Sequence, residues 1–133
     1  MVIQQTRRAG IAVLAVVAVA ACHSHKTPQV TAQDVENTKQ EAQRAVEQAR
    51  VEATKDVKSA LKTGAGNPRD VALAKATAVY DIAMIKAEGD HDVATEKCQT
   101  LQASMVQACK DQADAAYATA KATAKATRTA RQQ

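Results

Sequence analysis

Two cysteines, Cys98 and Cys109, place the strongest constraint on how this chain folds. The residues around them have the composition of a helix, and one continuous helix would hold the two about 16 Å apart along its axis. A disulfide needs Cα atoms within about 7 Å of each other. Either the chain reverses between them, or they are two small apolar residues that stay reduced or bridge two molecules.

A reversal between Gln102 and Met105 would bring the two cysteines face to face across a helical hairpin. The same register pairs small residues along the two arms, namely Ala94 with Ala113, Ala87 with Ala120, and Ala83 with Ala124. We therefore predict a hairpin with a close alanine seam and a Cys98–Cys109 disulfide. With roughly ten residues enclosed, such a bridge would add about 2–3 kcal/mol to stability.

Composition explains why such a bridge would matter. Residues 22–133 contain three Leu, two Ile and nine Val, and the chain has no Phe and no Trp. The large apolar residues make up less than about one fifth of this segment, and below that fraction a packed core becomes doubtful. The abundant alanine, in contrast, strongly favours helix. We expect an all-α protein in which extended alanine-rich helices form a hairpin or loose bundle.

Periodic apolar residues and helix-breaking residues divide the chain into segments. The predicted segments are a polar tether over 22–31, a first helix over 32–63, a second over 68–101 and a third over 105–131 with a basic tail.

Local signals mark the ends of these segments. Pro28 argues against helix in the tether, and Thr31 with Asp34 is a plausible start for the first helix. In "TGAGNPRD", Gly64 can cap that helix, while Asn67 and Pro68 suit the start of the second. Gly89, inside the second helix, is a possible kink.

The first 21 residues read as a targeting signal. Arg7 and Arg8 precede "AGIAVLAVVAVAA", 13 uncharged residues that are followed by Cys22. A membrane-spanning helix needs about 20 apolar residues, so this stretch is too short to span and has the length of a signal-peptide core. Export would place the two later cysteines in an oxidising compartment, where a disulfide persists.

The sequence Val19-Ala20-Ala21-Cys22 resembles the lipobox of bacterial lipoproteins, and the resemblance covers the first 22 residues. It implies cleavage after residue 21 and lipidation of Cys22, which would anchor the chain in a membrane. His23 stands where Asp retains lipoproteins in the inner membrane of well-studied Gram-negative bacteria, so the outer membrane is expected. The alternative is an ordinary secretory signal with a chance cysteine.

The second half is similar to small Ala/Lys-rich envelope proteins of Gram-negative bacteria. The resemblance covers residues 78–125 and rests on Lys97-Cys98, ten intervening residues and Cys109-Lys110. Those proteins usually have a glycine in the turn, where this chain has Ala103-Ser104. The resemblance implies no particular activity.

Motifs for catalysis or cofactor binding are missing from the sequence, so we predict no enzyme activity, no cofactor and no metal site. His23 and His25 in "CHSH" read as tether residues beside an acylated cysteine. In "GDHD", His91 and its neighbouring carboxylates should diverge on a helix and form a solvated kink. The basic tail has no aromatic platforms among its lysines, so nucleic acid is not an expected partner.

These features favour a non-enzymatic, lipid-anchored cell-envelope protein on the periplasmic face of the outer membrane. It would act as a helical spacer, scaffold or partner-binding module. Possible partners are a second copy, an unknown envelope protein or a cell-wall polymer. The alternative is a small inhibitor or recruiter of an envelope enzyme that uses the disulfide-closed hairpin for recognition.

Overall fold

A computed structural model describes residues 28–63 and 67–133 of the chain, and in these ranges it is all-α, as predicted. The helices are α1 (Pro28–Thr63), α2 (Pro68–Cys98) and α3 (Ala103–Gln132). At 1.5 Å per residue, α1 is about 54 Å long and the other two are about 45 Å long. None of the described helices carries an apolar stretch long enough to cross a membrane.

The start of α1 differs from the prediction. Helix begins at Pro28, where a tether through Thr31 and a first helix from Ala32 were expected. Proline disrupts a helix only where its missing N–H or its ring interferes with the preceding turn, and the first turn has no preceding turn. Pro28 therefore begins the helix, and the Thr31–Asp34 pair lies inside it.

The start of α2 follows the prediction. The Asn67 side chain accepts a hydrogen bond from the backbone N–H of Arg69 at 3.1 Å, and Pro68 takes the first helical position. The Asn67 amide also donates to the Asp70 carboxylate at 3.0 Å. Gly64, the predicted cap of α1, lies outside the described residues.

The reversal between α2 and α3 comes earlier than predicted. The second helix ends at Cys98 rather than Leu101, and α3 begins at Ala103 rather than Met105. The backbone N–H groups of 99–101 donate to carbonyls three residues back, which tightens the end of α2 into one last turn. Gln99 keeps right-handed helical angles and Gln102 is extended, so this turn needs no glycine.

Helix α2 is the centre of the molecule, with α1 packed on one side and α3 on the other. In the described part of the chain, no Cα of α1 lies within 8 Å of a Cα of α3. A helix covered on two sides buries more than one stripe, which explains why α2 is the most apolar helix. The buried apolar residues are small: Ala76, Ala87, Cys98, Ala113 and Ala124.

Helix α2 continues through Gly89, as predicted. A Cβ on Gly89 would lie 2.6 Å from the Cβ of Ala42, closer than real Cβ atoms come, and 3.3 Å from its Cα. The glycine therefore allows the backbones of α1 and α2 to approach each other closely. This role was not predicted, because the residue was considered only within its own helix.

Candidate functional site

The hairpin formed by α2 and α3 brings the two predicted cysteines together. Cys98 and Cys109 lie at disulfide distance, with Cα atoms 5.6 Å apart. Cys98 is the last residue of α2 and is 1% exposed, so the pair closes the hairpin immediately beside the turn. Ala87, Ala113 and Ala124, three members of the predicted alanine seam, are buried.

A polar cluster lies farther along the same seam. The Nε2 atom of His91 is 2.7 Å from Oδ1 of Asp114, and its Nδ1 atom is 3.7 Å from Oδ1 of Asp92. The imidazole also packs against the Tyr117 ring, with centroids 4.9 Å apart. Lys121 places its ammonium group 4.8 Å from the centroid of that ring. His91 therefore links α2 to α3 by a hydrogen bond and a ring contact.

A further contact joins α2 and α3 at the end of the hairpin that is far from the turn. The guanidinium carbon of Arg128 lies 5.0 Å from the centroid of the Tyr80 ring, which is a cation–π distance. Both tyrosines of the chain thus lie in the α2–α3 hairpin. Each of them contacts a basic residue of α3.

The chemistry available to the His91 cluster is limited. Its side chain is 24% exposed and the Asp114 side chain is 69% exposed, so water reaches both partners. No group of three or more His, Cys, Asp or Glu side chains in the described residues could hold a metal ion. The arrangement is suited to joining two helices and offers no enclosed space for a substrate.

Several shallow grooves flank the contact between α1 and α2, and two of them are each lined by four charged residues of one sign only. We call the first the basic groove; it has a volume of about 460 Å³ and its charged residues are Arg50, Lys58, Lys75 and Arg131. We call the second the acidic groove; it has a volume of about 530 Å³ and its charged residues are Glu52, Asp56, Asp70 and Asp81. Within the described chain, neither lining contains a side chain of the opposite charge.

The predicted site residues fall into two groups. Cys98 and Cys109 are brought together as expected. Cys22, the predicted lipidation site, lies outside the described residues, as do His23 and His25.

Sequence reasoning missed the partners of His91. The prediction that His91 is only solvated is wrong, because it contacts Asp114 and Tyr117 across the hairpin. These contacts could have been found from the sequence. The register that pairs Ala94 with Ala113 also places His91 opposite position 116, which lies between Asp114 and Tyr117. Applied to Tyr80, the same register reaches position 127, next to Arg128.

Comparison with known proteins identifies no relative of this chain. No family model, no curated protein and no solved structure matches this chain.

Proposed function

We propose that this chain is a non-enzymatic, lipid-anchored protein of the cell envelope that serves as a helical spacer or scaffold. The main support is the closed hairpin: Cys98 and Cys109 lie at disulfide distance. A pair of this kind persists in an oxidising compartment, which agrees with an export signal at the other end of the chain. In this proposal, Cys22 carries the lipid and the periplasmic face of the outer membrane is the location.

The shape of the helices supports a spacer or scaffold role. Three long helices lie side by side with small residues between them, and the surface carries shallow grooves. Small-molecule sites are usually concave and enclose most of their ligand. Long, open helical surfaces are better suited to contacts with other helices or extended molecules.

Metabolic labelling with an alkyne fatty acid, in a Gram-negative host, tests this proposal. We expect the full chain to incorporate the label and to sediment with outer membranes. Its intact mass should show loss of residues 1–21, added acyl groups, and one cysteine pair that alkylation reaches only after reduction. A Cys22→Ser variant should lose the label while keeping the Cys98–Cys109 pair. A full-length, unlabelled wild-type chain would refute lipid anchoring.

A second candidate function is recognition of an envelope enzyme by the hairpin tip. Leu101 and Met105 are 40% and 54% exposed beside the paired cysteines, so the tip presents apolar surface on a braced turn. This surface would suit an inhibitor or a recruiter.

A pull-down from envelope extract distinguishes the two functions. Recognition predicts one stoichiometric partner that is lost in a Leu101→Ser/Met105→Ser variant. The matched control is Val51→Ser, because Val51 is 48% exposed but lies in the middle of α1. Retention of the partner by the tip variant would exclude the tip as its binding surface.

A further inference from the structure

The basic and acidic grooves lie at the same level of the molecule, on opposite sides of the contact between α1 and α2. Both are lined by Ala53 from α1 and Ala78 from α2, so they share this seam. Along α1, Arg50 and Lys58 project to one side and Glu52 and Asp56 to the other. The division follows helical geometry, because residues four apart lie on one face and residues two apart do not.

The two linings match in charge number as well as in position. Four cations line one groove and four anions line the other. Arg50 has a partner within its own helix, Glu47 at 3.6 Å, and this contact is exposed. Exposed pairs of this kind contribute little energy, so Arg50 can exchange its partner for a competing carboxylate.

Apolar side chains line each groove together with the charged ones. Leu73, which is 49% exposed, and Ile85 line the acidic groove. Val79 in the basic groove is 37% exposed, with Val57 and Ile82 beside it. Apolar residues flanked by charge are typical of interfaces, which have an apolar centre and a polar rim.

We propose that the acidic groove of one copy docks on the basic groove of a second copy. A sideways translation with no shift along the helix axes brings the charge rows of one copy against the opposite rows of the next. A free anionic polymer would explain the cations but not an acidic groove of similar size at the same level. The observations therefore favour a second copy as the occupant.

Such an interface is heterologous, because each copy contributes a different surface. The assembly keeps one free acidic groove at one end and one free basic groove at the other. Because copies related by translation alone cannot close into a ring, growth remains open-ended. This inference rests on the scaffold role proposed above and explains how the scaffold assembles. The expected assembly is a lateral array of rod-shaped copies.

The test uses the full chain extracted in a non-ionic detergent and measured by native mass spectrometry and sedimentation velocity. Two variants each reverse two of the four charges of one groove, which leaves that groove with no net charge: Glu52→Lys/Asp81→Lys on the acidic side and Lys58→Glu/Lys75→Glu on the basic side. The wild type should form multimers, and each variant alone should be monomeric. An equimolar mixture should form multimers again, because the unaltered grooves of the two variants are complementary and the introduced lysines of one variant face the introduced glutamates of the other.

Matched controls reverse exposed charges of the same two helices outside both grooves, with Glu41→Lys/Glu88→Lys and Lys55→Glu/Arg69→Glu. These variants should keep the wild-type distribution of species. Helix content from circular dichroism verifies that every variant is folded. Salt should shift the wild type toward monomer, since the Debye length falls from about 10 Å at 0.1 M to about 3 Å at 1 M.

Several results would overturn the proposal. A monomeric wild type, or multimers that survive both reversals, would exclude docking through these grooves. If the control variants lost the multimers equally, the effect would come from net charge and not from the grooves. Lipid attachment is read separately from the monomer mass, so failure of this interface and failure of the anchor are distinguishable.

Discussion

The two helix interfaces of this molecule are built in different ways. Between α1 and α2, the backbones come close enough that a Cβ on Gly89 would meet Ala42. Between α2 and α3, side chains reach across: the paired cysteines, His91 with Asp114, and Tyr80 with Arg128. A chain poor in large apolar residues can thus join helices by close approach or by specific links. The α1–α2 interface depends on the absence of one methyl group at Gly89, whereas the α2–α3 interface depends on several chemically distinct contacts.

Removing the cysteine link is the largest expected change to the α2–α3 interface. We expect a Cys98→Ala/Cys109→Ala variant to lose about 2–3 kcal/mol of unfolding free energy, because the unfolded chain is no longer restricted by the closed loop. Urea unfolding followed by circular dichroism measures this loss. Reduction of the wild type should reproduce it and should leave the variant unchanged. Equal stability of the oxidised and reduced wild type would contradict the prediction.

Filling the close approach tests the α1–α2 interface. Gly89→Ala should destabilise the protein by about 1–3 kcal/mol through overpacking, although alanine is the better helix former. Thermal unfolding of the single variant measures the effect.

The control for this substitution moves the methyl group to the other helix. Ala42→Gly/Gly89→Ala restores the space, and the two changes in helix propensity, each about 1 kcal/mol, offset each other. We expect the double variant to recover most of the lost stability. A stabilised single variant would show that the helices do not approach this closely.

The His91 contacts should contribute less than either of these features. His91→Ala should cost about 1 kcal/mol, because it removes one partly exposed hydrogen bond and one ring contact. A double-mutant cycle with Asp114→Ala isolates the pair, because alanine removes the acceptor oxygen. Asp92→Ala is the matched control, since its carboxylate is 3.7 Å from the imidazole rather than 2.7 Å. Additive effects of the His91 and Asp114 changes would mean that the contact is absent in solution.

The smallest effect is expected at the far end of the hairpin. Arg128→Gln should cost about 0.5 kcal/mol, the lower range for an exposed cation–π contact. Lys125→Gln removes a neighbouring exposed charge from the same helix and should have no measurable effect. Chemical unfolding of both variants, followed by circular dichroism, checks the difference. Equal losses of stability in the two variants would show that the effect comes from net charge and not from the contact with Tyr80.

The sequence predicted the helices and the hairpin register because both depend on local patterns and simple distances. Asn67 and Pro68 predicted the start of α2, and the spacing of Cys98 and Cys109 required a reversal if the two were to pair. Pro28 was misread, and the packing role of Gly89 was missed, because each residue was judged by its usual effect on an isolated helix. Proline is tolerated at a helix start, and glycine can serve a neighbouring helix, so position and packing decide both cases.

The two grooves are harder to derive from the sequence alone. The charges that line the basic groove come from all three helices, so the rotation of each helix about its axis must be known. Small alanine residues fix such rotations weakly, because many faces of an alanine-rich helix look alike. The link between Tyr80 and Arg128 was accessible, since it follows from the register that the cysteines set.

The linear arrangement of the helices has a consequence for the opening motions of the protein. Since α1 and α3 each pack on α2 and their backbones stay apart, the fold behaves as two nearest-neighbour couplings in series. Either outer helix can detach while the remaining pair stays intact, but α2 can open only when both partners have released it. Amide hydrogens should therefore exchange most slowly in the middle of α2, and at independent rates in α1 and α3.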